Sequence, residues 1–196
     1  MPREPMYPTV TDNCGAATVQ CTPASGSKFL EASSPTSVTC AATDGAGNQS
    51  TCGSRIIVED TLAPVVTTKP GVDGFIASLW PPDHSMQTVS LRDCIANVAD
   101  LCDGTAPATI VRVTSDERLR GDGNGSEGMV IVDGQTVQLR AERDGMGDGR
   151  VYTIFANATD SEGNATQVTC KVQVPHDQSG VPAVDSGVAA CVGQGC

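Results

Sequence analysis

Two segments of the chain are versions of each other. Ala42-Thr43-Asp44-Gly45-Ala46-Gly47-Asn48-Gln49-Ser50-Thr51-Cys52 and Ala158-Thr159-Asp160-Ser161-Glu162-Gly163-Asn164-Ala165-Thr166-Gln167-Val168-Thr169-Cys170 each read as strand, tight turn, strand, and each ends on a cysteine. Both have the same upstream partner, since Val10-Thr11-Asp12-Asn13-Cys14 matches Val98-Ala99-Asp100-Leu101-Cys102. Such self-similarity means two copies of one supersecondary unit. A length of 196 residues has room for one large or two small domains, and the repeat decides for two.

Strand alternation supports an all-β reading. Val168, Cys170, Val172 and Val174 fall on one face of a strand, and Cys52, Ser54, Ile56 and Val58 on one face of another. Val137, Leu139 and Ala141 alternate with polar residues, with Tyr152, Ile154 and Ala156 facing inward opposite them. Half-buried strands of this kind belong to antiparallel sheets with one solvated face. Periodic stretches near 75–80, 87–92, 109–113, 129–132, 136–142, 151–159 and 165–174 predict seven strands in the second unit. That is the number an immunoglobulin-like sandwich asks for. The first unit supplies four (17–22, 27–30, 37–43, 50–58) and reads as incomplete at its front. The expected architecture is two tandem immunoglobulin-like antiparallel β-sandwiches, the first incomplete. Its divisions are a partial domain over 1–66, a second over 67–177, and a flexible tail over 178–196.

Composition narrows the class. Aromatics are 3% of the chain, so large rings cannot fill two cores. Thin cores need covalent staples, and nine cysteines supply them. Cysteines scattered through a Gly-, Thr- and Ser-rich β-pattern point to an oxidising compartment. No CxxC pair suggests zinc, and the two histidines, His84 and His176, lie far apart in sequence. A net charge of −11 argues against nucleic acid or an anionic membrane as partner. No apolar run reaches the ~18 residues of a membrane-spanning helix. The opening residues lack the apolar region of an export signal. Disulfides without such a signal imply the C-terminal part of a longer secreted protein.

Val10-Thr11-Asp12-Asn13-Cys14, Val19-Gln20-Cys21-Thr22-Pro23, Val38-Thr39-Cys40, the Ala42–Cys52 hairpin and the exit Val58-Glu59-Asp60-Thr61-Leu62-Ala63-Pro64 together resemble the hyalin repeat (HYR) family. The likeness covers residues 9–66 and lacks the strands that ordinarily precede the Asp-Asn-Cys motif. It implies an extracellular immunoglobulin-like domain associated with cell adhesion. Residues 75–177 resemble a related module at the ends of secreted bacterial proteins, through Leu79-Trp80-Pro81-Pro82-Asp83-His84, Leu139-Arg140-Ala141-Glu142-Arg143 and Gly149-Arg150-Val151-Tyr152-Thr153. That module implies no reaction.

Cys14 and Cys52 occupy the same places around the repeat as Cys102 and Cys170, so each pair is an expected bridge. Cys21 and Cys40 lie inside the first loop and are absent together from the second unit, which pairs them with each other. Cys94, Cys191 and Cys196 are three thiols for at most one internal bond, leaving one for an intermolecular link.

Other motifs are weaker. The Thr-Asp-x-x-Gly-Asn turns read as hairpin chemistry, because Asp accepts backbone N–H groups in turns and Gly tolerates positive φ. Asp122, Asn124 and Ser126 stand at alternate positions in a Gly-rich loop, with Asp133 eleven residues after Asp122. These four are the candidate calcium ligands, although Met129-Val130-Ile131-Val132 reads as a strand within that span. Arg120-Gly121-Asp122 spells an integrin tripeptide and reads as coincidence. No nucleophile elbow, phosphate loop or HExxH occurs.

The sequence therefore predicts a non-catalytic structural or adhesion module, extracellular or at the cell surface, with no required cofactor. Its partner is an unspecified protein or cell surface. The alternatives are a calcium-dependent ligand-binding module and the C-terminal accessory region of a secreted hydrolase.

Overall fold

The computed structural model describes residues 8–29, 35–118 and 128–196. The chain is all-β, with no α-helix among these residues. It forms two compact units, Met1–Asp60 and Thr61–Cys196.

Unit 1 carries a three-stranded antiparallel meander of β1 (Thr18–Thr22), β2 (Thr36–Thr43) and β3 (Gln49–Ile56). The strand expected over 27–30 is not formed in its described residues, 27–29. The β2–β3 connection is the first copy of the repeat. Asp44 Oδ1 accepts from the backbone N–H groups of Ala46 (2.9 Å) and Asn48 (2.8 Å), and Asp44 Oδ2 accepts from Asn48 Nδ2 (2.7 Å). Gly47, at φ 89°, takes the left-handed conformation that closes the turn.

The described residues of unit 2 form ten strands. These are β4 (Val65–Thr68), β5 (Ala77–Ser78), β6 (Met86–Ser90), β7 (Ile95–Ala99), β8 (Ala108–Ser115), β9 (Met129–Ile131), β10 (Thr136–Arg140), β11 (Arg150–Thr159), β12 (Ala165–Val174) and β13 (Ala190–Gly193). A 3₁₀ turn over Leu91–Asp93 separates β6 from β7, capped by Ser90. Five strands form one sheet in the order β13-β8-β11-β12-β5, three form another as β6-β10-β9, and β4 pairs with β7. All pairs are antiparallel except β12 with β5.

The inner faces of the two larger sheets share one core, which makes the unit sandwich-like. Val137 and Leu139 of β10 meet Tyr152, Ile154 and Ala156 of β11 and Val168, Cys170, Val172 and Val174 of β12 in one cluster. The period-2 alternation in the sequence marks these faces. Tyr152 also donates from its hydroxyl to Arg140 O (2.8 Å), and burial raises its pKa.

The β11–β12 turn repeats the unit 1 clasp. Asp160 Oδ1 accepts from Asn164 N (2.7 Å) and Asp160 Oδ2 from Asn164 Nδ2 (2.8 Å), with Gly163 at φ 90°. Buried Asp160 anchors the longest hairpin, so Asp160→Ala is expected to destabilise unit 2 by about 1–3 kcal/mol, the contribution of part-buried hydrogen bonds to a charged acceptor. Chemical denaturation measures it; an unchanged unfolding midpoint would mean that backbone bonds alone hold the turn.

The segment 178–196 is not the flexible tail the sequence suggested. β13 adds to the edge of β8, and Ala183 is buried with Phe75 and Val151. Lys171 pairs with Asp185 at 3.0 Å, and Cys191 is bonded to Cys196. Alternation is lost there because small and glycine residues need only offer backbone groups to an open sheet edge. The unit boundary also falls earlier than 66, since β4 belongs to unit 2 through its pairing with β7.

Candidate functional site

The two Asp-x-Cys motifs of the repeat fold alike, and neither is in a disulfide. Asp12 Oδ1 accepts from Cys14 N, and Asp100 Oδ1 accepts from Cys102 N, each at 2.8 Å. Both are therefore Asx turns, in which the aspartate accounts for the motif and the cysteine follows it. In unit 2 this turn meets the hairpin turn, since Asp103 accepts from Ser161 N (2.8 Å) and Ser161 Oγ (3.1 Å).

The disulfides are Cys21–Cys40, Cys94–Cys170 and Cys191–Cys196. Two of the expected pairings are corrected. Cys170 is bonded to Cys94 and not to Cys102, because Cys94 and Cys170 both lie in the core while Cys102 is exposed on its turn. Cys14 and Cys52 are exposed thiols and do not bridge each other. The supposedly surplus Cys94, Cys191 and Cys196 are all bonded.

Of the calcium candidates, Asp122, Asn124 and Ser126 lie outside the described residues, as does Arg120-Gly121-Asp122. Asp133 is described and serves its own turn: its Oδ1 accepts from Gln135 N at 2.7 Å. His84 Nδ1 lies 3.6 Å from Glu142 Oε2, and His176 Nδ1 lies 3.6 Å from Asp177 Oδ2.

Two concavities stand out among the described residues. In unit 1 a mostly apolar groove of about 490 Å³ runs over one face of the meander. Its walls include Pro23, Phe29, Val38 and Ile56, and its floor carries Cys21, Cys40 and Cys52. Facing positions in the register put Cys21, Cys40 and Cys52 on one side of the sheet, and the period-2 alternation adds Val38 and Ile56 to it. In unit 2 a smaller cavity of about 240 Å³ is lined by Glu117, Arg118, Glu142, Arg143, Asp144 and Arg150. Arg150 is 1% exposed, and its guanidinium is committed to internal acceptors. Nε donates to Glu142 O (2.6 Å), and Nη1 donates to Ser115 Oγ and Glu117 O (2.8 Å each). Nη2 lies 3.3 Å from Glu117 Oε2. Glu117 Oε2 in turn accepts from Asp144 N at 2.7 Å. This cluster ties the ends of β8, β10 and β11 together, and its geometry is structural. Nothing in local spacing marks Arg150 as buried; the signal was only its place at the start of a strongly alternating strand.

Charge on the unit 1 turn gives a pH prediction. The Asn48 side-chain amide, helped by backbone N–H groups, holds the Asp44 carboxyl below its ordinary 3.8. A depressed folded-state pKa contributes stability that is fully present above the unfolded value and lost as pH falls through the folded one. The melting midpoint of unit 1 should therefore hold down to about pH 4 and decline below it. Asp44→Asn should flatten that decline; an equally steep acid limb would place the cause elsewhere.

Compared with known proteins, the chain matches no family model and no curated protein.

Proposed function

We propose that this chain is a non-catalytic extracellular module, two immunoglobulin-like units that space or dock another part of a secreted or surface protein. The observation that carries the reading is the Cys94–Cys170 bridge, buried in the core of unit 2 and joining residues 76 apart in sequence. A disulfide so placed belongs to an oxidising compartment. It also limits how far the unit lengthens under load, because the chain between the two cysteines cannot extend until the bond breaks. The Asp-Asn clasps and the Arg150 cluster act in the same direction by fixing strand ends.

The test is single-molecule pulling of the full chain, with and without reductant. Reduction should lengthen the unfolding step of unit 2 by about 250 Å, the span of 76 residues at ~3.3–3.6 Å each. A step of equal length in both conditions would overturn the mechanical reading.

A further inference from the structure

Three cysteines form one row across the sheet of unit 1. Cys21 of β1 faces Cys40 of β2, and Cys40 faces Cys52 of β3. Residues directly opposite in antiparallel strands present their side chains on the same face, and all three line the groove. Cys40 is bonded to Cys21, and Cys52 is an exposed thiol.

The pairing geometry allows Cys40 either neighbour. Cys21 and Cys40 have Cα atoms 3.9 Å apart, which marks the close, non-hydrogen-bonded kind of facing pair. In a central antiparallel strand the N–H and C=O of one residue both point to the same neighbour. Those of Cys40 therefore turn toward β3, and Cys40–Cys52 is the wide kind of pair, at about 5.5 Å. That spacing lies within the ~4.4–6.8 Å that disulfides span.

We propose that Cys21, Cys40 and Cys52 form a thiol–disulfide exchange site, in which the bridge migrates between Cys21–Cys40 and Cys40–Cys52. The Cys52 thiolate attacks Cys40 Sγ along the row. The Cys40–Cys52 bond forms as the Cys21–Cys40 bond breaks, and Cys21 leaves as a thiolate. Cys21 then takes up one proton, balancing the one that Cys52 gave up. One disulfide and one thiol stand on each side of the equation, so no oxidant or reductant is consumed. The outcome is a thiol that moves from β3 to β1, from one outer strand of the meander to the other, while the central strand stays stapled. The unit thus offers a partner's thiol or disulfide a reactive sulfur at either edge.

The experiment uses the full oxidised chain, equilibrated at pH 8, quenched with acid and labelled with N-ethylmaleimide. Acid stops the exchange because the thiolate is the attacking species. Cleavage after Lys28 separates Cys21 from Cys40, and cleavage before Asp44 separates Cys40 from Cys52. Two isomers are expected: Cys52 labelled with Cys21–Cys40 linked, and Cys21 labelled with Cys40–Cys52 linked. Their amounts should lie within about tenfold, since both bridges join facing pairs on one sheet face. In Cys21→Ser the only bridge of unit 1 should be Cys40–Cys52. A label on Cys52 alone in every molecule, or a Cys14–Cys52 link, would overturn the proposal. If Cys21→Ser does not fold, the map of the unaltered chain decides alone.

Discussion

Cys94→Ala is expected to destabilise unit 2 by about 4 kcal/mol, whereas Cys102→Ala should stay within about 1 kcal/mol of the parent. The bond to Cys170 closes a sequence separation of 76, and the loop-closure entropy withheld from the unfolded chain sets that size. Both sulfurs sit in the core, so the alanine also loses packing there. At position 102 the side chain is exposed, and the backbone N–H donated to Asp100 is one that alanine keeps. Denaturant unfolding of the two variants, with a thiol count on each, separates the outcomes. A costly Cys102→Ala beside a neutral Cys94→Ala would restore the pairing that the repeat suggested.

That pairing shows what the repeat encoded and what it did not. Asp12 and Asp100 make the same Asx turn, and Asp44 and Asp160 each clasp the asparagine four residues on, so the self-similarity was a true record of local backbone geometry. Local geometry does not choose a disulfide partner; burial does. Cys94 was legible as a cysteine, but its partner depended on the 3₁₀ turn after β6 delivering it to the middle of β12. The strands with clean alternation, β10, β11 and β12, were readable because one face of each is buried. β4, four residues between Pro64 and Pro70, is too short to show alternation, and β7 carries Asn97 in a run without alternation. β13 is a strand only because β8 offers it an edge. The cysteine row of unit 1 was hidden for the same reason: the residues 21, 40 and 52 meet through register, which sequence spacing does not show.

Arg150→Met should cost unit 2 about 3–5 kcal/mol, as expected when one member of a buried ion pair is removed. The methionine matches the arginine's bulk but strands Glu117 Oε2, whose remaining partner is Asp144 N. It also takes from Glu142 O and Glu117 O the guanidinium hydrogens they now receive, leaving Glu117 O with the Ser115 hydroxyl as donor. Arg150→Lys should rescue little of this. A planar fork reaches Ser115 of β8, Glu117 two residues past β8 and Glu142 two residues past β10 at once, whereas an ammonium is a single point on a flexible stem. The side chain also lies over the Tyr152 ring, with its central carbon 5.6 Å from the ring centre, a contact lysine cannot reproduce with a flat face. The decisive comparison is Arg150→Met/Glu117→Met. If the arginine matters through the charge and hydrogen bonds it satisfies, removing both members should be less damaging than removing Arg150 alone, because no buried carboxylate is left uncompensated. Equal loss in the single and double variants would assign the effect to packing. A neutral Arg150→Met would show that the ends of β8, β10 and β11 are held by their ladders alone, and that the cluster is dispensable to the rigidity on which a spacing role depends.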